Sequence, residues 1–146
     1  MHKTTPLVQV KTLEGCDLAD ALSLIAKASS PLIFKGLCKD WPLVKAGVIS
    51  ASSAADYLRQ FYQGIPVSAC YLEPDQQGRV FYNPEQNGFN YQGGKIDFNQ
   101  LLDRLFALNN QAQVPTYYMG STEINHWFPG LAEHNTLPMP GISPLT

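Results

Sequence analysis

Glu123 and His126 stand three residues apart, the ExxH half-motif that contributes a ligand pair to di-iron sites in helical bundles. Such a site needs a second copy of the motif and further carboxylates from neighbouring helices. The sequence offers neither, so the pair reads as an ordinary polar face. His134 lies eight residues beyond His126 and would share its face only on an unbroken helix, which Pro129-Gly130 interrupts. The remaining histidine, His2, sits at the chain start. Three cysteines, Cys16, Cys38 and Cys70, form no CxxC pair and have no zinc-ligand spacing. Cys38, beside Lys39 with no histidine near it, reads as a half-buried inert thiol rather than a nucleophile. There is no GxSxG elbow. Gly93-Gly94-Lys95 lacks the GxxxxGKS/T frame of a phosphate loop and reads as a turn before a helix.

Two stretches are too rich in polar and aromatic residues for routine loops. The first runs from Gly78-Arg79-Val80-Phe81-Tyr82-Asn83 to Asn87-Gly88-Phe89-Asn90-Tyr91. It sets one arginine and four aromatics among Asn and Gly, a mixture suited to a recognition surface. Arg79, Tyr82, Asn83 and Asn90 are its candidate contacts to a substrate or partner. A long ordered loop whose aromatics pack on the core is the equally open alternative. The second stretch is Pro115-Thr116-Tyr117-Tyr118-Met119-Gly120-Ser121-Thr122. On a strand, Tyr117 and Tyr118 point to opposite faces, so one hydroxyl can line a cavity while the other ring packs outside.

The elements that must position these residues alternate irregularly. Residues 7–10 read as a strand, and Asp17 as the N-cap of a helix over residues 18–28, with Asp20 in its first turn. Leu18, Ala21, Leu22 and Ile25 give that helix its apolar face. Pro31 to Gly36 reads as a short strand, followed by a loop carrying Cys38, Asp40, Trp41 and Pro42. Ser52 or Ser53 can cap a second helix, with Ala54, Tyr57, Leu58 and Phe61 on one face and Gly64 ending it. Residues 65–72 read as a strand, with Pro66 confined to its start or to an edge. Asp97 caps the clearest helix, residues 98–108, with a stripe of Phe98, Leu101, Leu102, Leu105 and Phe106. Residues 114–120 form another strand, and residues 123–134 one or two helical turns broken at Pro129-Gly130. This is an α+β pattern.

With 146 residues, 45 % apolar and 11 % aromatic, the chain can bury a core as a single domain. Ten basic against 12 acidic residues give a net charge of −2 with no block of either sign, so nucleic acid and anionic membrane are not expected partners. No apolar run approaches the roughly 20 residues of a membrane span, and residues 1–6 do not resemble a signal peptide. Unpaired cysteines fit a cytoplasmic protein. Residues 136–146 carry three prolines without any period, and read as an extended segment in mid-course.

In combination these residues are recognisable. Pro31-Leu32-Ile33-Phe34-Lys35-Gly36 with Asp40-Trp41-Pro42 resembles the opening of cupin-like, JmjC-type proteins, where a strand and a glycine lead into a Trp-Pro loop. Gly78-Arg79-Val80-Phe81-Tyr82-Asn83, Asn87-Gly88-Phe89-Asn90, the Leu101-Leu102…Leu105 helix, Tyr117-Tyr118-Met119-Gly120-Ser121 and Phe128-Pro129-Gly130 follow in the order of the bacterial cupin-like branch. The order over residues 31–135 carries the resemblance; no single motif does.

The resemblance implies an α+β N-terminal region (residues 1–135) and the first strands of a double-stranded β-helix, or jelly roll, with residues 136–146 leading towards the rest of the barrel. It implies kinship with Fe(II)- and 2-oxoglutarate-dependent oxygenases, which hydroxylate or demethylate a protein, peptide or small molecule. In them a His-x-Asp/Glu…His triad holds the iron. This sequence has no HxD or HxE, and the family places that motif shortly after a segment like Gly141–Thr146. The expectation is therefore a chain truncated before the metal-binding strands and inactive alone, with no cofactor of its own. One role carries over: Tyr118, with Tyr117 as the alternative, stands where related asparagine hydroxylases hydrogen-bond the distal carboxylate of the co-substrate. A phenol donates one directed bond there without adding charge. Arg79 and Asn83 are weaker candidates for lining the substrate mouth, on composition and not on the resemblance. Two other readings are a non-catalytic binding module using residues 79–91, and a complete small α+β domain. A truncated barrel exposes sheet edges, so self-association, as a homodimer or beyond, is also expected.

Overall fold

A computed structural model describes residues 9–108 and 113–137. The order is β1 (Lys11–Glu14), α1 (Leu18–Lys27), β2 (Leu32–Lys35), α2 (Pro42–Ile49), α3 (Ala51–Arg59), β3 (Val67–Leu72), β4 (Gln92–Ile96), α4 (Phe98–Ala107), β5 (Thr116–Met119), α5 (Ile124–Trp127) and α6 (Leu131–His134), with a 3-10 turn at Pro74–Gln76. The α+β expectation holds. β1 and β2 pair in parallel, with Thr12 opposite Ile33, and α1 is their crossover. β3, β4 and β5 form an antiparallel sheet in the order β4-β3-β5.

α1 begins where Asp17 caps it: the carboxylate accepts the Asp20 N–H at 2.8 Å. The first strand lies later than the apolar run suggested. Val10 is outside it, Leu7 and Val8 fall outside the described residues, and pairing with β2 selects Lys11–Glu14. α2 follows the Trp41-Pro42 corner, where the sequence pattern assigns no element to residues 43–49. Its N-cap, Trp41, makes no side-chain cap bond. Asn135 caps it from 92 positions away instead: its Oδ1 accepts the Leu43 N–H at 3.0 Å, while its Nδ2 donates to Tyr57 Oη and to the Leu131 carbonyl. α3 starts at Ser50 rather than Ser52 or Ser53, with Ser50 Oγ accepting the Ser53 N–H at 2.9 Å. It ends at Arg59, short of Gly64.

The core cluster consists of Val67 from β3, Phe98 and Leu101 from α4, Phe128, and Leu131 from α6. Tyr57, Phe61, Tyr62 and Tyr117 pack around it. The apolar stripe of α4 is narrower than its sequence: Phe98 and Leu101 are buried, but Leu105 is 40 % exposed. Asp97 caps α4 through the Gln100 N–H, and Tyr62 Oη accepts the Phe98 N–H at 3.2 Å, satisfying another orphan donor of the first turn. The Tyr62 hydroxyl lies 2.9 Å from the Ile65 carbonyl and 3.1 Å from Asp97 Oδ2. Burial, and then the neighbouring Asp97, raise its pKa above the ordinary 10.0.

Gly93-Gly94-Lys95 is not a turn. It lies inside β4, with Gly93 opposite Cys70, Gly94 opposite Ala69 and Lys95 opposite Ser68. Cross-strand pairing overrides the poor strand propensity of glycine here.

Candidate functional site

Alternation along the strands sorts the side chains of the β4-β3-β5 sheet onto two faces. Val67, Ala69, Ile96, Tyr117 and Met119 belong to the core cluster or pack on it, and Tyr117 meets Tyr71 at 5.4 Å between ring centroids. The Tyr71 hydroxyl donates to Glu73 Oε2 at 3.0 Å; that bond, then burial, raises the Tyr71 pKa. The opposite face carries Ser68, Cys70, Lys95, Thr116 and Tyr118, together with Leu72, which is fully buried. Tyr118 stands across from Cys70 and is 51 % exposed, with no hydrogen-bond partner for its hydroxyl among the described residues. Lys95 Nζ donates to Ser68 Oγ at 2.8 Å on the same face. Of the two tyrosines singled out by sequence, Tyr117 is therefore a packing residue and Tyr118 the one presented.

The aromatic loop leaves the sheet at the Thr116 end of this open face. A Cβ on Gly78 would meet Thr116 Oγ1 at 3.5 Å, and its φ of +73° lies in the region that favours glycine. Beyond it, Tyr82 and Phe89 form an isolated antiparallel bridge. Phe81, Tyr82, Phe89 and Tyr91 follow one another in contact at 5.6, 5.4 and 4.9 Å. Phe81, Tyr82 and Phe89 are 68, 55 and 58 % exposed, so they do not pack on the core.

The four loop candidates divide into two pairs. Asn90 locks the loop: its Oδ1 accepts the Phe81 N–H at 2.8 Å, and its Nδ2 donates to the Arg79 carbonyl and to Gln76 Oε1. Asn83 does the same at the tip, accepting from the Asn87 N–H and donating to Asn87 Oδ1 at 2.8 Å. Their polar atoms are engaged within the loop. Arg79 and Tyr82 are outward, and both line a cavity of about 730 Å³ with Asp75, Gln76, Phe81 and Asn90.

The ExxH pair assembles no metal centre. The Glu123 carboxylate turns back as the N-cap of α5, accepting the N–H groups of Asn125 and His126. His134 is on α6, beyond the break at Gly130, with its ring 6.3 Å from Phe61. Among the described residues, no three His, Cys, Asp or Glu side chains converge as a metal site.

The order of strand, Trp-Pro corner, aromatic loop, capped helix and tyrosine strand agrees with a comparison against known families, in which the cupin-like domain model matches residues 19–143. The chain belongs to the cupin-like family. No curated protein and no solved structure matches it. None of the helices in the described residues of this cupin-like chain is long and apolar enough to cross a membrane.

Sequence reasoning missed Lys95, Cys70 and Ser68 as neighbours of Tyr118. The signal for Cys70 and Ser68 was alternation in β3, where every second residue shares a face. For Lys95 no local signal existed, because two glycines hide the strand to which it belongs.

Proposed function

We propose that this cupin-like chain supplies the co-substrate wall of a JmjC-type, 2-oxoglutarate-dependent oxygenase, with Tyr118 donating a hydrogen bond to the distal carboxylate of 2-oxoglutarate. The observation that carries the reading is the placement of Tyr118: half-exposed, unpartnered among the described residues, and on the sheet face opposite the core. Lys95, on the same face, adds positive charge that favours a carboxylate. Tyr117 lies on the other face, its ring against Tyr71 and along the groove beside β4, so Tyr118 is the tyrosine proposed for the role.

Iron does not fit the described residues. The sequence has no HxD or HxE, and the one ExxH carboxylate caps a helix. The role proposed for the described residues is to orient a dicarboxylate. Hydroxylation would need ligands beyond those described, and the substrate would be a protein, peptide or small molecule approaching past Arg79 and Tyr82.

The test is a titration of the full chain with selectively labelled tyrosine rings, read by NMR. 2-Oxoglutarate and glutarate, which share the distal carboxylate, should shift the Tyr118 resonance saturably; pyruvate, which lacks it, should not. Tyr118→Phe should abolish the response and Tyr117→Phe should keep it. Equal shifts with pyruvate, or a response that survives Tyr118→Phe, would overturn the assignment.

A second reading, a non-catalytic binding module, is favoured by one observation. Asn83 and Asn90 hold residues 79–91 in a fixed shape with three exposed rings, a preorganised surface of the type that anchors a partner. A partner lost on Phe81→Ser, in a chain whose Tyr118 ring gives no saturable response to 2-oxoglutarate, would select it.

A further inference from the structure

β4 is an outer strand: among the described residues it pairs with β3 alone. One row of its N–H and C=O groups therefore has no strand partner there, an arrangement that recruits an added strand. The usual safeguards are thin. β4 has no proline, its register with β3 runs unbroken from Gln92 to Ile96, and its one charged side chain, Lys95, is drawn across the sheet to Ser68.

Gly93 and Gly94 sit at the middle of this edge. Neither has a positive φ, and a Cβ on either would meet nothing within 4 Å. Nothing within the described chain requires glycine at either position, although glycine weakens a strand. Paired open glycines of this kind suit the close approach of another backbone. Gly94 shares its face with Ala69, where a groove of about 500 Å³ runs between β4 and α4. Tyr71 and Tyr117 line its floor, Gln100 and Arg104 its far wall. Gln100 and Arg104 are one helical turn apart, so they edge the groove together.

The charges choose the occupant. Arg59 on the neighbouring helix takes Asp103 at 2.7 Å, but the exposed Arg104 has no acidic partner among the described residues. Asp97, the only acid lining the groove, is engaged by the Gln100 N–H and the Tyr62 hydroxyl. We infer that this edge binds an extended acidic peptide segment, which adds as a strand along β4 and passes a Glu or Asp side chain to Arg104. A second copy of the chain fits less well, because it would bring its own Lys95 and Arg104 to the same edge. Most of the groove's lining lies on the face opposite Tyr118, with Cys70, Gly93 and Lys95 of the other face also reaching it.

The experiment is fluorescence anisotropy of the full chain with a short labelled peptide alternating valine and glutamate, against its lysine-for-glutamate counterpart. The acidic peptide should bind, more weakly as salt rises, and the basic one should not. Arg104→Glu should lower affinity roughly tenfold or more. Gly94→Val enters open space, so it should keep the thermal melt and the Tyr118 response to 2-oxoglutarate while losing the peptide. Equal binding of both peptides, or an unchanged affinity in Arg104→Glu, would overturn the inference. So would a dimer in sedimentation velocity that Gly94→Val dissolves, which would give the edge to a second copy.

Discussion

Tyr117 and Tyr118 are neighbours in the chain and opposites in the fold. Tyr117 faces the helices, among Tyr71, Met119 and the residues around Phe98; Tyr118 faces away, across from Cys70, with half its surface exposed. One three-stranded sheet thus has a face packed on the helical cluster and a face that is buried at Leu72 and open at Tyr118. The lesson is that a side chain's role here follows from its parity on the strand before it follows from its type. Perturbing each face separately tests that division.

The largest effect belongs to the packed face. Phe98 is 4 % exposed and meets Phe128 edge-on at 4.9 Å and Tyr62 at 5.3 Å. Phe98→Ala should cost about 3–5 kcal/mol, a large share of the stability of a domain this size. Urea denaturation checks it, and a loss below 1 kcal/mol would mean the packed face is not the stabilising one. Next comes the polar staple behind that face. Asn135→Ala removes the cap on α2 and the bonds to Tyr57 and Leu131, and should cost about 1–3 kcal/mol. Amide exchange should then quicken first at Leu43. Protection at Leu43 equal to that of the native chain would show that α2 needs no help from α6.

How much of this was legible in the sequence depended on where the causes lay. Asp17 and Asp97 cap the helices that follow them, so α1 and α4 could be read from adjacent residues. β5 and the break at Pro129-Gly130 were equally local. α2 was not legible, since its cap arrives from Asn135, at the far end of the fold. β4 was not, because Gln92–Ile96 is a strand only by virtue of its pairing with β3. For the site, composition singled out the loop at residues 79–91, whose Phe81, Tyr82 and Phe89 rings are exposed. It could not separate Arg79 and Tyr82, which face outward, from Asn83 and Asn90, whose amides are turned inward to lock the loop. Types alone do not say which way an amide points.

A pH scan sharpens the same comparison at smaller amplitude. The raised pKa of Tyr62 means the folded state prefers the neutral phenol, through burial and the nearby Asp97. Its contribution to stability is therefore complete below the ordinary value of 10.0 and is lost as pH rises through the higher folded value. Melts of the native chain should fall with pH in that alkaline window, and Tyr62→Phe, although less stable at neutral pH, should show a shallower fall. Parallel curves would remove Tyr62 from the explanation.

The smallest stability change, and the one with most functional weight, is expected at Tyr118. Its hydroxyl has no partner among the described residues and its ring is half in solvent, so Tyr118→Phe should alter stability by less than about 0.5 kcal/mol. Tyr117→Ala, one residue away, should cost about 2 kcal/mol by opening the contact with Tyr71. Thermal melts give the stability half of the comparison, and the tyrosine-resolved titration with 2-oxoglutarate gives the other. If the two faces divide labour as argued, the variants invert. Tyr118→Phe keeps the melt and loses the carboxylate response, whereas Tyr117→Ala lowers the melt and, below its transition, keeps the response. A Tyr118→Phe chain that melts early would place this ring among the supports of the fold, and the open face would then need another residue to give it a purpose.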